Sequence, residues 1–299
     1  MKIVIQYWIR ILKVKLALID DLNNIIIKYV NVIFSADGRK IVSASRDCTV
    51  RIWDAKSGKQ LQIFRGHAKQ VFAARFSPDG NTVVSCSEDG TIRLWDVNTG
   101  TEMMKLKSDT NVECDVNFSP DGKYIVSGLQ DRTIRLWDIH SGIEIRQLSG
   151  HSKSIWSAQF SPDGKMIVSS SHDKTINLWN VESGEILKQF KGKSDCVTRA
   201  KFSPDGRFII CSFTDTVRIW HIKTGKSKTL KKHLSNVRDA KYFPDSRTIM
   251  FLKMVIQSQQ DPQIVKFKSG NYKIKHNFFV KDARYEYKTC FFFVRIYFG

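Results

Sequence analysis

The sequence predicts an all-β fold in which one unit of about 42 residues, made of four short strands, is repeated along the chain. Tryptophan recurs at intervals of 42, 42, 42 and 41 residues, at Trp53, Trp95, Trp137, Trp179 and Trp220. Asp-Gly pairs recur at a constant interval of 42 residues, beginning at Asp37, Asp79, Asp121, Asp163 and Asp205. A degenerate sixth copy of this turn stands at Asp245-Ser246. A fixed period of this size indicates an array of like units.

The second unit shows how its four strands are predicted. Residues 76–80 read Phe-Ser-Pro-Asp-Gly, in which proline presets the first turn dihedral and glycine closes the turn of a hairpin. A β-rich run follows at 82–87, and a second turn at 88–90 leads into 91–95, where side chains alternate between two faces. An outer strand around 103–106 completes the unit.

This pattern resembles that of the WD-repeat (WD40) family, because the period, the Gly-His dipeptides and the Trp-Asp strand endings occur together. The resemblance is clear from Tyr29 to Gly225 and weaker from Lys232 to Lys273. It implies an all-β WD40 β-propeller of seven blades, of which five are clear, one is degenerate and one is incomplete.

We therefore expect a propeller over residues 28–299, preceded by a segment at 1–27. The predicted blades cover 28–66, 70–108, 112–150, 154–192, 196–231 and 234–276, and the incomplete seventh covers 277–299. In the sixth blade, Phe267 follows Asp261 by six residues and is expected to take the tryptophan position. Apolar spacings of three, four and seven in the first segment favour an amphipathic helix from about Tyr7 to Ile27. Alternatively, this segment supplies the strand that closes the ring.

The resemblance also implies a buried hydrogen-bond tetrad in each complete blade. Two sets are complete, namely His67, Ser85, Asp89 and Trp95, and His151, Ser169, Asp173 and Trp179. In the other blades Ile25, Asp109 and Lys193 stand at the histidine position, and Cys211 stands at the serine position. A buried donor without its acceptor costs about 1–3 kcal/mol, so these blades are expected to be looser unless other groups compensate. The tetrads are expected to be structural, since no glycine-rich elbow or oxyanion hole accompanies their serines.

The composition is that of a folded, soluble chain, with 42% hydrophobic and 26% charged residues. Its six cysteines are scattered without a Cys-x-x-Cys pair, no apolar run approaches the length of a membrane span, and no secretory signal is evident. These features predict a cytoplasmic or nuclear protein that has no membrane association. Because the sequence contains no phosphate-binding glycine loop, zinc spacing or paired catalytic carboxylates, we expect no enzyme activity, cofactor, metal or small-molecule substrate.

The net charge of +19 is concentrated at one end of the sequence. Residues 221–299 contain 17 Lys and Arg against 5 Asp and Glu, whereas residues 41–220 contain 24 against 21. Such asymmetry is typical of a surface that binds RNA or an acidic partner. The alternative interpretation is an ordinary solvated basic face.

Positions at which the units differ are the candidates for binding. Directly after the first apolar residue of each inner strand stand Phe72, Glu113, Trp156, Thr198 and Arg238. One residue before the turn aspartates stand Arg46, Glu88, Gln130, His172 and Thr214. The resemblance implies that these residues surround the channel mouth on the top face, where partner proteins or peptides would be seated. Alternatively, Phe72 and Trp156 plug the channel. We thus expect a non-catalytic protein-interaction scaffold, with an RNA or ribonucleoprotein-associated propeller as the alternative.

Overall fold

The chain folds into consecutive four-stranded antiparallel sheets. The computed structural model describes residues 29–107, 115–191, 197–213, 216–230, 237–242, 248–256, 272–281 and 287–296. No residue in these ranges is helical, so the all-β prediction is confirmed for the described chain. The helix predicted from Tyr7 to Ile27 lies outside the described residues and stays a prediction.

Each of the first three sheets is formed by strands that follow one another along the chain. The first contains β1 (Tyr29–Phe34), β2 (Lys40–Ser45), β3 (Thr49–Asp54) and β4 (Gln60–Arg65). The second contains β5 (Val71–Phe76), β6 (Thr82–Ser87), β7 (Thr91–Asp96) and β8 (Glu102–Lys107). The third contains β9 (Val116–Phe118), β10 (Tyr124–Gly128), β11 (Thr133–Asp138) and β12 (Glu144–Ser149).

The next two sheets repeat this order. The fourth contains β13 (Ile155–Phe160), β14 (Met166–Ser171), β15 (Thr175–Asn180) and β16 (Ile186–Lys191). The fifth contains β17 (Val197–Phe202), β18 (Phe208–Phe213), β19 (Val217–His221) and β20 (Ser227–Leu230). These five sheets correspond to the five clear units of the sequence.

The sixth sheet has a different strand order. It contains β21 (Val237–Tyr242), β22 (Thr248–Ile256), β23 (Tyr272–Lys281) and β24 (Tyr287–Ile296), arranged β21-β22-β24-β23. Residues 287–296, expected in a separate seventh blade, thus lie inside the sixth sheet, where β24 pairs with all nine residues of β22. This long ladder satisfies the backbone groups of both strands. The count of seven blades is not confirmed, and Asp261 and Phe267 lie outside the described residues.

The hairpin turns form as the Ser-Pro-Asp-Gly sequence predicts. Between β5 and β6, the Ser77 hydroxyl donates to the Asp79 carboxylate over 2.5 Å and accepts the Thr82 backbone N–H over 2.9 Å. Gly80 follows with a φ of +76°, a left-handed conformation that glycine adopts without steric cost. The polar side chains therefore close the turn, and the flanking apolar residues form the strands.

The hydrophobic core lies between neighbouring sheets. Trp95 of the second sheet packs with Val42, Ile52 and Phe64 of the first, and its ring centroid lies 5.2 Å from that of Phe64. Similar buried clusters join the second sheet to the third, the third to the fourth and the fourth to the fifth. The first five sheets are therefore buried against one another in sequence order, as in the blades of a propeller.

A buried polar network links the first strands, which lie side by side from one sheet to the next. The Arg75 guanidinium on β5 donates to Asn31 on β1 over 2.7 Å and to Asn117 on β9 over 3.1 Å. It also pairs with the carboxylate of Asp115, whose side chain is 5% exposed. Asn117 in turn donates to the Ala158 carbonyl on β13 over 2.7 Å. The network therefore ties together the inner strands of four sheets.

We expect Arg75→Ala to lower the free energy of unfolding by about 3–5 kcal/mol, because Asp115 would be left buried without its cation. Arg207→Ala serves as the control, since its ion pair with Asp205 is largely exposed and should be worth less than about 1 kcal/mol. Urea denaturation of both variants measures the difference. Equal losses would show that the Arg75 network does not stabilise the contacts between sheets.

Candidate binding site at the ends of the inner strands

Five of the first strands carry a β-bulge after their first residue. In β5, Val71 pairs with Ser87 and Ala73 pairs with Cys86, which leaves Phe72 without a partner across the ladder. Trp156 in β13, Thr198 in β17 and Arg238 in β21 occupy the same bulge position. A bulge releases one residue from the ladder and changes the direction of its side chain. Four of the positions predicted on the first strands, Phe72, Trp156, Thr198 and Arg238, are therefore places where the backbone pairing is interrupted.

Trp156 is the most exposed aromatic side chain in the described part of this site. Its side chain is 43% exposed, and its ring stacks on that of His172 with centroids 4.6 Å apart and planes 28° apart. The backbone N–H of His172 donates to the Ser154 carbonyl over 3.0 Å, which fixes the turn next to β13. The structure therefore brings together two residues that the sequence assigned to the same rim.

Phe72 occupies the equivalent position but has different surroundings. It is half-buried and packs against the hydrophobic cluster between the second and third sheets. The neighbouring turn residue, Glu88, donates its backbone N–H to the Gln70 carbonyl over 3.0 Å, as His172 does to Ser154. The two bulges thus share one backbone arrangement, whereas their aromatic rings have different exposures.

The remaining predicted residues are described to different extents. Arg46 is exposed at the turn between β2 and β3, and Gln130 is half-buried at the turn between β10 and β11. Thr198 and Arg238 lie at bulges, and their side chains are outside the described part of the structure. Glu113 and Thr214 lie outside the described residues altogether.

An open depression with a volume of about 360 Å³ lies beside the stacked rings. It is lined by Gln130, Arg132, Ser152, Lys153, Ser154 and His172, so it spans the third and fourth sheets. Gln130 and His172 were predicted as rim residues, whereas Arg132 and the segment 152–154 were not. One feature of the sequence could have identified Arg132. At the turn position after the aspartate, Arg132 and Lys174 replace the glycine of the second unit.

The two complete tetrads have the predicted geometry. In the second sheet, the Trp95 indole N–H donates to the Ser85 hydroxyl over 2.8 Å. The Ser85 oxygen lies 2.8 Å from Nε2 of His67, whose Nδ1 lies 3.0 Å from the Asp89 carboxylate. In the fourth sheet, the distance from Trp179 Nε1 to Ser169 is 2.8 Å, and the His151 distances are 2.7 and 2.9 Å. A neutral imidazole with its proton on Nδ1 satisfies every donor.

The pKa shifts of the histidine and the aspartate favour that neutral imidazole beside an ionised carboxylate. Burial lowers the pKa of His67 and outweighs the opposing attraction of the Asp89 carboxylate. Burial opposes ionisation of Asp89, but hydrogen bonds from Thr91, the Ala68 N–H and His67 prevail and lower its pKa to about 2. Because Ser85 is completely buried, the tetrad holds the indole and offers no accessible nucleophile.

In two blades that lack the tetrad histidine, an arginine forms an ion pair with the turn aspartate. Arg51 pairs with Asp47 over 2.9 Å in the first sheet, and Arg135 pairs with Asp131 over 3.1 Å in the third. In the second sheet, where His67 is present, the equivalent Arg93 pairs with Glu102 instead. In each of the first four sheets, the turn aspartate therefore has a charged or polar partner. At the aspartate carboxylate, the arginine compensates for the missing histidine.

The described residues contain no group of three or more His, Cys, Asp or Glu side chains placed to hold a metal ion. Within the same ranges, no helix of sufficient length and apolar character to span a membrane occurs.

Comparison with known families matches this geometry to one repeat. The chain matches the family described as WD domain, G-beta repeat, at residues 27–54, 58–96, 100–138, 142–180 and 184–221. A search of curated proteins gave no significant match. The five repeats cover more than half of the sequence, and each complete repeat ends at the Trp-Asp or equivalent pair of a third strand.

The protein is therefore a repeat protein of the β-propeller class, with its core between sheets and its variable residues at the strand ends. It belongs to the WD-repeat family. Domains of this family generally bind other proteins or peptides, and their propellers are typically non-catalytic scaffolds.

We expect the two tetrad histidines to make the protein less stable as the pH falls from 7 to 5. In the unfolded chain they take up protons near pH 6.5, whereas in the folded chain their pKa values are lowered. Below the unfolded pKa, each histidine that stays neutral in the fold reduces stability by about 1.4 kcal/mol per pH unit. Urea denaturation at pH 7, 6 and 5 measures this slope.

The double variant His67→Gln/His151→Gln should show a flatter slope, although it is less stable at every pH. His140→Gln is the control, because His140 is exposed and takes no part in a tetrad. The assignment is wrong if the double variant keeps the wild-type slope.

Proposed function

We propose that this protein is a non-catalytic scaffold that binds peptide segments of partner proteins at the bulged ends of its inner strands, around Trp156. The observation that carries the proposal is the exposure of the Trp156 ring, 43%, at a position released from strand pairing. Large aromatic side chains that remain exposed are enriched among the residues that dominate protein interfaces. Stacking on His172 holds the ring in one orientation before a partner binds.

Trp156 and Phe72 are assigned different roles in this proposal. Trp156 supplies the contact area for the peptide, whereas Phe72 contributes mainly to packing between the second and third sheets. Replacement of Phe72 should therefore affect stability more than binding, and replacement of Trp156 should do the reverse. The channel-plug alternative fits Phe72 better than Trp156.

We expect Trp156→Ala to weaken peptide binding strongly while changing the thermal midpoint little. Purified protein is used to select peptides from a random peptide display library, and the selected peptides are titrated against the wild type and the variant. Loss of the exposed indole removes the central contact, so the affinity should fall at least about tenfold.

Leu187→Ala is the matched control, since Leu187 is 52% exposed on β16 of the same sheet but lies on the outermost strand. It should bind the selected peptides as the wild type does. The proposal is overturned if no peptide is selected, or if the selected peptides bind Trp156→Ala with unchanged affinity.

The alternative, an RNA or ribonucleoprotein-associated propeller, is supported by the charge of the last quarter of the sequence. That quarter carries 17 basic against 5 acidic residues, and Lys223 and Lys226 are exposed. RNA binding would weaken steeply with salt and would depend on Lys226 rather than on Trp156. We place it second because charge alone supports it.

We further propose that the protein resides in the cytoplasm or nucleus. Cys48, Cys86 and Cys211 are free thiols, and burial raises the pKa of the Cys211 thiol. Unreactive buried thiols are compatible with a reducing compartment. Fluorescence microscopy of the tagged protein tests this proposal, and secretion into the medium would contradict it.

A further inference from the structure

We propose that the depression beside Trp156 binds an anionic side chain, a carboxylate or a phosphate, of the partner peptide. This inference rests on the proposed function and specifies the chemistry of the partner. The depression would hold the anion while the adjacent hydrophobic residue of the peptide packs on the Trp156 ring.

The first support is the charge of the lining residues. Arg132 reaches the depression from the turn between β10 and β11, and Lys153 reaches it from the loop before β13; both are exposed. The lining contains no aspartate or glutamate. Among the described residues, neither Arg132 nor Lys153 forms an ion pair. The site therefore offers two cations that are available to an incoming anion.

The neighbouring carboxylates are already engaged in the fold. Asp131 pairs with Arg135 and accepts the Thr133 hydroxyl, and Asp173 accepts His151 together with the backbone N–H of Ser152. These interactions hold both carboxylates ionised, since hydrogen bonds and charges outweigh the effect of burial and lower their pKa values. Because both carboxylates are engaged within the turns, they do not pair with Arg132 or Lys153.

The equivalent place between the first and second sheets has different chemistry. There Arg46 stands in place of Gln130, Cys48 in place of Arg132 and Glu88 in place of His172, while Lys69 corresponds to Lys153. Two cations are thus present there as well, but Glu88 adds a carboxylate that could pair with them. The depression between the third and fourth sheets differs in that no lining residue is acidic.

The backbone at Arg132 allows the charge to be removed without strain. Arg132 has a φ of +75°, and Gly90 makes the equivalent turn of the second sheet with a φ of +76°. A residue with a side chain costs about 1–2 kcal/mol in this left-handed conformation, whereas glycine does not. Glycine at this position would therefore remove the guanidinium and keep the turn.

The experiment uses four fluorescein-labelled pools of octapeptides in which phenylalanine precedes glutamate, phosphoserine, glutamine or lysine and the other positions are random. Fluorescence anisotropy should show that the glutamate or phosphoserine pool binds the wild type at least about tenfold more tightly than the glutamine pool, and that the lysine pool binds most weakly. Comparison of the glutamate and phosphoserine pools tells which anion is preferred.

Arg132→Gly should remove this preference while leaving the thermal midpoint unchanged or higher, because glycine relieves the left-handed backbone. Lys153→Gln should reduce the preference, and Lys165→Gln, at the exposed turn at the other end of β13, should leave it intact. Because glycine fits this backbone conformation, the Arg132→Gly variant should fold. A loss of preference for the anionic pools can then be attributed to the loss of the guanidinium.

The possible failures are distinct. Equal binding of all four pools that still depends on Trp156 would overturn the anion site and keep the peptide-binding proposal. Binding that does not depend on Trp156, or binding of no pool, would overturn both. Displacement of the glutamate pool by single-stranded RNA that depends on Arg132 would assign the depression to nucleic acid instead.

Discussion

The burial of each sheet against its neighbours is the constraint on which the rest of the structure depends. The core clusters of the first five sheets each combine residues of two neighbouring sheets, and the cluster around Trp95 is completed by Val42, Ile52 and Phe64 of the preceding sheet. The sequence repeat at 58–96 contains β4 of the first sheet together with β5, β6 and β7 of the second. Each repeat thus contributes strands to two sheets, which joins neighbouring sheets covalently as well as through their cores. Stability should therefore be shared between nearest neighbours.

The close packing of sheets forces many polar groups out of water, and the chain satisfies them in two ways. Around the inner strands, Arg75 reaches the side chains of Asn31 on β1, Asn117 on β9 and Asp115 just before β9. Further out, His67 connects the loop after β4 to the turn before β7 through Asp89. Where that histidine is absent, Arg51 and Arg135 bind the turn aspartate instead. Different residues therefore meet the same requirement, which is that the turn aspartate has a charged or polar partner.

Much of this architecture could be predicted because it depends on local sequence. Turn residues such as Ser77 and Asp79 act within a few positions of each other, and the tetrad of His67 repeats at fixed spacing. The proximity of Trp156 and His172 was also expected, because both were assigned to one rim on the basis of the family resemblance. The cationic depression could not be predicted in this way, because Arg132 and Lys153 come from two sheets and meet only after these have packed. The inclusion of β24 in the sixth sheet likewise depends on a pairing between distant segments that local pattern does not encode.

The bulge and turn positions show how the proposed binding surface can differ from unit to unit in a repeated fold. At the bulge, Phe72 and Trp156 occupy one backbone arrangement, yet the first packs into a core cluster and the second remains exposed. At the turn, Cys48, Gly90, Arg132 and Lys174 all have left-handed φ values between 67° and 76°. The backbone at these positions thus accepts side chains of different size and charge, while the tryptophan of the third strand recurs in all five clear units. Because the exposed Trp156 ring and the turn side chains lie outside the core clusters, a change at these positions need not disturb the contacts that hold the sheets together.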